Sequence, residues 1–255
     1  MCGTDTYSSD DVAINLNSHS WASCSHHILT LTTSSRIDDV TLVSVTGVMV
    51  DAAQRALQRS MKNLSFAKTL LFASEPPSAL DARVEWIAIP PMNLREYSRF
   101  ILQDLHRHIH TSHVLIVQAD GFVINPERWD PAWLGYDYIG APWPEEVMAG
   151  PYRIRLKNRV GNGGFSLRSR RLLELSAPID LSTLRFPTRN EDMIICHVLH
   201  DYLTVQGIRF ADTETAARFS IESDKSSFGQ TLTTSFGFHG RDYLARLSEM
   251  QPTTS

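Results

Sequence analysis

Four short polar or glycine-rich segments of this sequence carry the side chains that could do chemistry. Between them they offer a carboxylate for a metal ion, a glycine-rich wall, a carboxylate that could accept a proton, and an imidazole late in the chain. The segments are Gln118-Ala119-Asp120, Gly161-Asn162-Gly163-Gly164, Asn190-Glu191-Asp192 and Phe238-His239-Gly240. None is specific alone, so the hypothesis of a shared site depends on a fold that brings them together.

Each acidic segment has a chemical and a structural interpretation. Asp120 directly follows an apolar run, and a carboxylate at a strand end suits Mg²⁺ or Mn²⁺; the residue could equally belong to a turn that ends the strand. Glu191 and Asp192 precede an apolar helix. Either acid could accept a proton from a hydroxyl group, or could cap the helix N-terminus.

The glycine-rich segment and the late histidine also have two interpretations each, one chemical and one structural. Gly161–Gly164 would let a ligand approach the backbone closely, or would form only a tight bend. Half-apolar sequence resumes at Phe165, which favours a loop that opens directly into ordered structure. His239 could bind a metal ion or could be a buried core histidine.

An alternation of strands and helices from Asp39 onward predicts where these segments lie. Compact apolar runs indicate strands, and helical spacing indicates helices between them. The predicted strands are Val40–Val45, Thr69–Ala73, Val84–Ile89 and His113–Val117, and the predicted helices are Asp51–Leu64 and Leu94–His108. Strands joined through helices form parallel sheets, which bind ligands beyond the carboxyl ends of their strands. We therefore expect Thr46, Gly47 and Asp120 at one edge.

The second half of the chain is expected to be less regular. The predicted elements are a short strand within Asp137–Trp143, a mobile loop over Glu145–Asn158, ordered structure over Val160–Leu167, helices over Arg168–Ser176 and Asp192–Val205, and a strand over Ile208–Ala211. The pattern as a whole predicts a single α/β, Rossmann-like domain over residues 37–250, with a mostly parallel central sheet flanked by helices. A poorly defined extension is expected over residues 1–36.

Composition narrows the classes of function. The 255 residues have a formal charge of -4 and a pI near 6.2, which argues against a nucleic-acid-binding protein. Three scattered cysteines do not form a disulfide or zinc framework. The sequence shows neither an apolar run of about 18 residues nor a secretory signal, so we expect a cytoplasmic protein without a membrane span.

The motifs resemble those of the GT-A superfamily of glycosyltransferases. More closely, the chain is similar to a group of uncharacterised GT-A-like proteins with the signatures Q-x-D, Y-D-Y-I-G-A-P-W, G-N-G-G-F-S-L-R and N-E-D. In this sequence they are Gln118–Asp120, Tyr136–Trp143, Gly161–Arg168 and Asn190–Asp192. The resemblance extends from about Asp39 to Gly240.

This resemblance implies a role for each segment. Asp120 takes the place of the last acid of a D-x-D motif, which holds Mn²⁺ or Mg²⁺, and His239 completes the coordination. The segment Gly161–Gly164 lies beside donor and acceptor. Asp192 is the base of inverting members, with Glu191 as its neighbour. Gln118 stands where the motif has its first acid, so metal affinity is expected to be weak or absent. Gln118 could still hydrogen-bond the ribose or sugar of the donor, and the resemblance places it with Asp120 among the contacts to the nucleotide sugar.

The leading hypothesis is a metal-assisted, inverting glycosyltransferase that uses a nucleotide-sugar donor and an acceptor hydroxyl of unknown class. Thr46, Gly47 and Ser74 would line the nucleotide pocket, and Trp143 and Phe165 would offer apolar faces to a sugar. Two alternatives remain open: a sugar nucleotidyltransferase, and a non-catalytic carbohydrate-binding relic of the fold.

Overall fold

The computed structural model of the chain describes residues 35–184, 190–223 and 228–250. The extension expected over residues 1–36 lies outside these ranges except for Ser35 and Arg36, which are the first residues of a strand. In the described ranges, no helix is both long and apolar enough to cross a membrane.

Strands and helices alternate over the first half of the described chain. Their bounds are Ser35–Val45 (β1), Val50–Ser60 (α1), Leu64–Ala73 (β2), Glu85–Ala88 (β3), Leu94–Arg99 (α2) and His113–Val117 (β4). Helix α1 ends earlier than predicted, because Asn63 has a positive φ of 66° and Leu64 already belongs to β2. A capping box between Asn93 and Glu96 starts α2.

The second half contains shorter elements. Their bounds are Tyr138–Ile139 (β5), Ala141–Pro142 (β6), Glu146–Ala149 (β7), Tyr152–Arg155 (β8), Val160–Gly161 (β9), Phe165–Ser169 (β10), Arg170–Ser176 (α3), Glu191–Met193 (α4), His200–Val205 (α5), Thr213–Phe219 (α6), Ser220–Ile221 (β11), Gly237–Phe238 (β12) and Arg241–Met250 (α7).

Several of the sequence predictions for this half were wrong. The loop expected over Glu145–Asn158 contains an antiparallel hairpin, β7–β8. The segment Ile208–Ala211 is not a strand, and its Phe210 forms only an isolated bridge with Tyr138. Helices α6 and α7 were not anticipated.

Two of the three long predicted helices change their winding along their length. Helix α2 continues as a π-helical segment, Phe100–Asp104, and a 3-10 segment, Leu105–His108. The helix expected over Asp192–Val205 is likewise divided, with a π-helical segment, Ile194–Val198, between α4 and α5. Hydrophobic spacing alone does not distinguish these windings from a regular α-helix.

The central sheet confirms the predicted fold class. Its strand order is β3-β2-β1-β4-β10-β5, in which the first four strands are mutually parallel and β10 is antiparallel to both β4 and β5. Every residue of β4 is buried, as expected of an inner strand covered on both faces. The chain is thus an α/β protein with a mostly parallel central sheet flanked by helices.

Alternate residues of β1 and β4 divide the core between the two faces of the sheet. On one face Leu42 and Leu115 pack in a cluster that contains Leu57 of α1, together with aromatic residues of the later chain. On the other face Val43 and Ile116 pack in a cluster built mainly with α2 and its continuation. Because side chains alternate between the two faces with a period of two, the same alternation sets the face toward which the residues after each strand begin.

Candidate active site

A tight turn at the end of β4 presents Asp120. The backbone N–H of Gln118 donates to the carbonyl of Gly121 at 2.9 Å, and the N–H of Gly121 donates back at 3.0 Å. The N–H of Gly240 donates to the carbonyl of Asp120 at 2.8 Å, so the turn is tied to the last part of the domain. Asp120 does belong to a strand-ending turn, and its carboxylate still faces outward, about one quarter exposed.

The turn and the late histidine meet, as the shared-site hypothesis requires. Nε2 of His239 lies 3.6 Å from Oδ1 of Asp120. Strand β12 pairs in parallel with β11, and the N–H of His239 donates to the carbonyl of Ile221 at 2.9 Å. Since parallel strands end at the same edge, Glu222 leaves β11 beside His239.

Glu222 is a site residue that the sequence reasoning missed. Its Oε1 accepts a hydrogen bond of 3.1 Å from Nδ1 of His239, and its Oε2 accepts one of 2.8 Å from Nε1 of Trp143. A carboxylate only accepts, so Nδ1 carries the proton and Nε2 faces Asp120. The sequence held no signal for Glu222, which lies in a stretch without clear periodicity.

The imidazole of His239 lies in a negative environment. Burial alone would lower the pKa of His239, but the hydrogen bond with Glu222 and the charges of Glu222, Asp120 and Asp192 outweigh it. The net result is a pKa above its ordinary value. An imidazole in these surroundings favours a positive charge, either a proton or a cation.

The glycine-rich loop makes room for protein side chains, which corrects the expectation of a wall open to ligand. A Cβ on Gly163 would lie 2.1 Å from Oε1 of Glu191, and one on Gly164 would lie 2.1 Å from Nε2 of His239. A Cβ on Gly161 would lie 2.2 Å from the indole ring of Trp143. The three glycines therefore let these side chains approach the loop backbone.

Asn162 within the loop and Phe165 directly after it are both fully buried, so neither side chain is placed to contact a substrate. Asn162 has a positive φ of 89° and is fully buried, and its Oδ1 accepts from the N–H of Gly164 at 2.8 Å. Phe165 has no exposed surface and packs against Phe219 and Phe236. The prediction that Phe165 offers a face to a sugar was wrong, since its ring lies inside the core.

Asp192 has the properties expected of a group that exchanges protons. Its Oδ2 accepts from the N–H of Gly163 at 3.0 Å, and its Oδ1 accepts from the N–H of Met193 at 2.7 Å. Burial, followed by the charges of Glu191 and Glu222, raises the pKa of Asp192 to about 7. The N-cap of α4 is Asn190, so capping does not explain why an acid occurs at Asp192.

Glu191 has a different role from the catalytic one that was expected. Its carboxylate forms a salt bridge of 2.9 Å with Arg168, and both side chains are almost completely buried. Nε of Arg168 also donates to Oγ of Ser166 at 3.1 Å. Glu191 therefore neutralises a buried cation beneath the loop and contributes charge, but no exposed oxygen, to the site beside Asp192.

A cavity of about 210 Å³ lies at the carboxyl ends of β1 and β4. Four of the predicted nucleotide contacts line it: Thr46, Gly47, Gln118 and Asp120. Nε2 of Gln118 donates to the hydroxyl of Tyr97 at 2.9 Å. Ser74, the fifth, is exposed at the end of β2 and is not among the lining residues.

The donor atoms at Asp120 and His239 can hold a divalent cation. A carboxylate oxygen suits Mg²⁺ or Mn²⁺, whereas imidazole prefers transition-metal ions, so the pair fits Mn²⁺ better than Mg²⁺. The second nitrogen of His239 is already fixed by a carboxylate, as is usual for metal-bound histidines. Among the described residues, no group of three or more His, Cys, Asp or Glu side chains is arranged to hold a metal ion. A metal bound by these two residues would need its remaining ligands from water or from a donor phosphate.

Comparison with known proteins gives one family match. The model of a family described as "Protein of unknown function (DUF5672)" matches residues 86–239, which is more than half of the chain and contains all four motifs. No functionally curated protein matches the sequence.

Several solved structures are distantly similar, among them the following three. One is the mannosyltransferase PcManGT from Pyrobaculum calidifontis in complex with GDP-Man and Mn²⁺, with 12% identity, a TM-score of 0.41, and coverage of 71% of this chain and 55% of that chain. The second is a glycosyltransferase involved in the glycosylation of the major capsid of PBCV-1, with 13% identity, a TM-score of 0.42, and coverage of 83% and 99%. The third is an active-site mutant of LgtC, with 12% identity, a TM-score of 0.47, and coverage of 84% and 97%.

These similarities concern overall shape only. The chain spans about half the length of the mannosyltransferase, and all three TM-scores lie below 0.5. They carry no argument about activity, and the fold class rests on the strand order described above.

Proposed function

The chain belongs to the family described as "Protein of unknown function (DUF5672)", and we propose that it is a glycosyltransferase that moves a sugar from a nucleotide-sugar donor to an acceptor hydroxyl with inversion. The observation that carries the proposal is the approach of Asp120 and His239 to 3.6 Å. They come from distant parts of the sequence and meet at the carboxyl edge of a mostly parallel sheet, where such folds bind ligands.

The base in this mechanism is Asp192. Its pKa of about 7 leaves a large fraction of the carboxyl group ionised at neutral pH, and the carboxylate still binds a proton well. The N–H groups of Gly163 and Met193 hold its two oxygens. Asp192 would accept the proton of the acceptor hydroxyl as that oxygen attacks the sugar carbon, while the bond from the carbon to the nucleotide phosphate breaks.

Asp192 and the metal ligands belong to one site because the glycine loop connects them. Gly163 donates to Asp192, and the next residue, Gly164, lies directly against the imidazole of His239. A donor phosphate near His239 and an acceptor hydroxyl near Asp192 would therefore lie on either side of this loop.

Asp120 and His239 would hold the divalent cation. When bound, such an ion stabilises the negative charge of the departing nucleoside diphosphate. Gln118 supplies no charge, and its amide is engaged by Tyr97. We therefore expect weak affinity for the metal alone and tighter binding when a nucleoside diphosphate adds its oxygens.

The cavity beside Asp120 would take part of the nucleotide. Its volume of about 210 Å³ is smaller than a typical ligand pocket of about 300 Å³ or more, so a nucleotide sugar would extend beyond it toward His239. Thr46 and Gly47 would contact the nucleoside. Ser74 is exposed and does not line this cavity, so we assign it no contact with the nucleotide.

The test is a donor-binding and donor-hydrolysis panel. Thermal unfolding is measured with UDP-glucose, UDP-galactose, UDP-N-acetylglucosamine and GDP-mannose, with and without Mn²⁺, because a ligand that binds only the folded state raises its melting temperature. Slow release of nucleoside diphosphate from the stabilising donor is the expected activity. Asp192→Asn should retain donor binding and lose roughly 10²-fold or more in rate.

Asp39→Asn is the matched control, since Asp39 is exposed on β1 and at the opposite end of the sheet. Near-normal activity of Asp192→Asn would refute the assignment of Asp192 as the base. Release of pyrophosphate from a nucleoside triphosphate and a sugar phosphate would identify a nucleotidyltransferase instead. Absence of binding to every donor would overturn the proposal in favour of a non-catalytic protein.

A further inference from the structure

Trp143 and Glu222 form a chain of contacts that ends on the imidazole of His239. The indole lies against Gly161, and its Nε1 donates to Oε2 of Glu222 at 2.8 Å. The other oxygen, Oε1, accepts from Nδ1 of His239 at 3.1 Å. Glu222 thus uses one oxygen for each partner, and its side chain is only about one quarter exposed.

We propose that Glu222 is a positioning residue that sets the orientation and tautomer of His239 for a divalent cation, and that Trp143 acts through Glu222 as its anchor. This inference rests on the metal site of the proposed function. It gives Trp143 a role different from the sugar-facing surface that the sequence suggested.

The contacts of Glu222 are those of a positioning residue. Each of its oxygens accepts from an N–H donor of the protein, one from Trp143 and one from His239, and among the described residues it does not form a three-residue metal cluster with Asp120 and His239. With the proton held on Nδ1, the Nε2 lone pair of His239 faces Asp120. Carboxylates that hold a histidine in this way commonly change metal affinity by 10–100-fold when they are removed.

The anchor matters because, among residues 35–184, 190–223 and 228–250, the hydrogen bonds to the carboxylate of Glu222 come from the side chains of Trp143 and His239 and not from a backbone N–H. Trp143 is 8% exposed, and its backbone N–H donates to the carbonyl of Arg159 at 2.8 Å. The indole is therefore fixed at both its backbone and its ring. Rotation of the Glu222 side chain would break the bond with Trp143 as well as the bond with His239.

The test measures Mn²⁺ affinity of the intact chain with Mn²⁺ alone, from the loss of the electron paramagnetic resonance signal of the free ion. Glu222→Leu removes both acceptors and should raise the Kd for Mn²⁺ about 10–100-fold. Glu222→Gln keeps one acceptor oxygen and should restore part of the affinity. Trp143→Phe removes only the indole donor and should raise the Kd about 5-fold, the value of one hydrogen bond.

The double variant shows whether Trp143 affects Mn²⁺ binding only through Glu222 or independently of it. If Trp143 acts only through Glu222, the variant Trp143→Phe/Glu222→Leu should bind Mn²⁺ no more weakly than Glu222→Leu alone. Glu214→Leu is the matched control, because Glu214 is 89% exposed in the first turn of α6. Its affinity should equal that of the parent protein.

Three outcomes would overturn the inference: equal Mn²⁺ affinity of Glu222→Leu and parent, additive losses in the double variant, or no Mn²⁺ binding by the parent. Melting temperatures without metal show whether each variant is folded at the temperature of the titration. Mn²⁺ binding in the expected order, with no release of nucleoside diphosphate from any donor, would leave this inference intact and refute only the proposed activity.

Discussion

The carboxyl group of Asp192 should make the stability of the protein fall with rising pH, and Asp192→Asn should abolish that contribution. The pKa of the group is about 7 in the folded protein and 3.8 at its ordinary value. Between these values the folded state retains a proton that the unfolded state has released. The free energy of unfolding therefore decreases from about pH 4 to pH 7 and then levels off.

The size of the effect follows from the pKa difference. About three pKa units at 1.36 kcal/mol each give an upper limit of about 4 kcal/mol. Asp192 is partly exposed, and water screens part of this penalty, so we expect the stability of Asp192→Asn relative to the parent to rise by about 2–4 kcal/mol between pH 4 and pH 8. Near pH 4 the difference reports only the exchange of one acceptor oxygen for an amide nitrogen. In a chain of this size the rise corresponds to a relative shift in melting temperature of roughly 4–16 °C.

The assay is urea unfolding of parent and variant at several pH values from 4 to 9, with Asp39→Asn measured in parallel. Asparagine retains one oxygen that can accept from Gly163, but its amide nitrogen then faces the N–H of Met193, which lowers the stability of the variant by an amount that does not depend on pH. The diagnostic quantity is therefore the change of the stability difference with pH, and a difference that stays constant across this range would refute the raised pKa. It would also remove the main support for Asp192 as the base.

Two further substitutions test the packing around the glycine loop. Gly164→Ala places a Cβ 2.1 Å from Nε2 of His239, so the imidazole must move and the Mn²⁺-dependent gain in nucleoside diphosphate affinity should disappear in calorimetric titrations. Gly135→Ala, whose Cβ would meet nothing closer than 3.8 Å, should retain that gain. Glu191→Gln leaves the buried Arg168 without its counter-charge and should lower the free energy of unfolding by about 3 kcal/mol or more; urea denaturation that shows no loss would mean that the pair does not stabilise the fold.

The four parallel strands could be located because each contains a compact apolar run, although β1 and β2 begin earlier than predicted. His113–Val117 is such a run, and β4 has the bounds that were predicted for it. The alternation of strands with helices then predicted the parallel sheet. The resemblance to the GT-A motifs led to the expectation that Asp120 and His239 lie together, and in the structure the two side chains are 3.6 Å apart.

The parts that could not be predicted depend on contacts between distant segments. The sequence predicts that a ligand lies against Gly163. In the structure the side chain of Glu191 fills that space, and nothing in the sequence near Gly163 indicates this contact. Glu222 carries no local pattern, and only the pairing of β11 with β12 brings it to His239. The π-helical winding of Ile194–Val198 leaves the hydrophobic spacing of the helix almost unchanged.

The hydrogen bond from Gly240 to Asp120 has a consequence for the order in which the site can form. During synthesis the chain leaves the ribosome from its N-terminus, and the sheet strands β1 to β4 emerge long before β12. Asp120 is then present without its imidazole neighbour, and the turn that carries it lacks the bond from Gly240. The cation that we propose for these two residues could be captured by both only after almost the whole domain has emerged, so Mn²⁺ binding to nascent chains of increasing length would report completed folding.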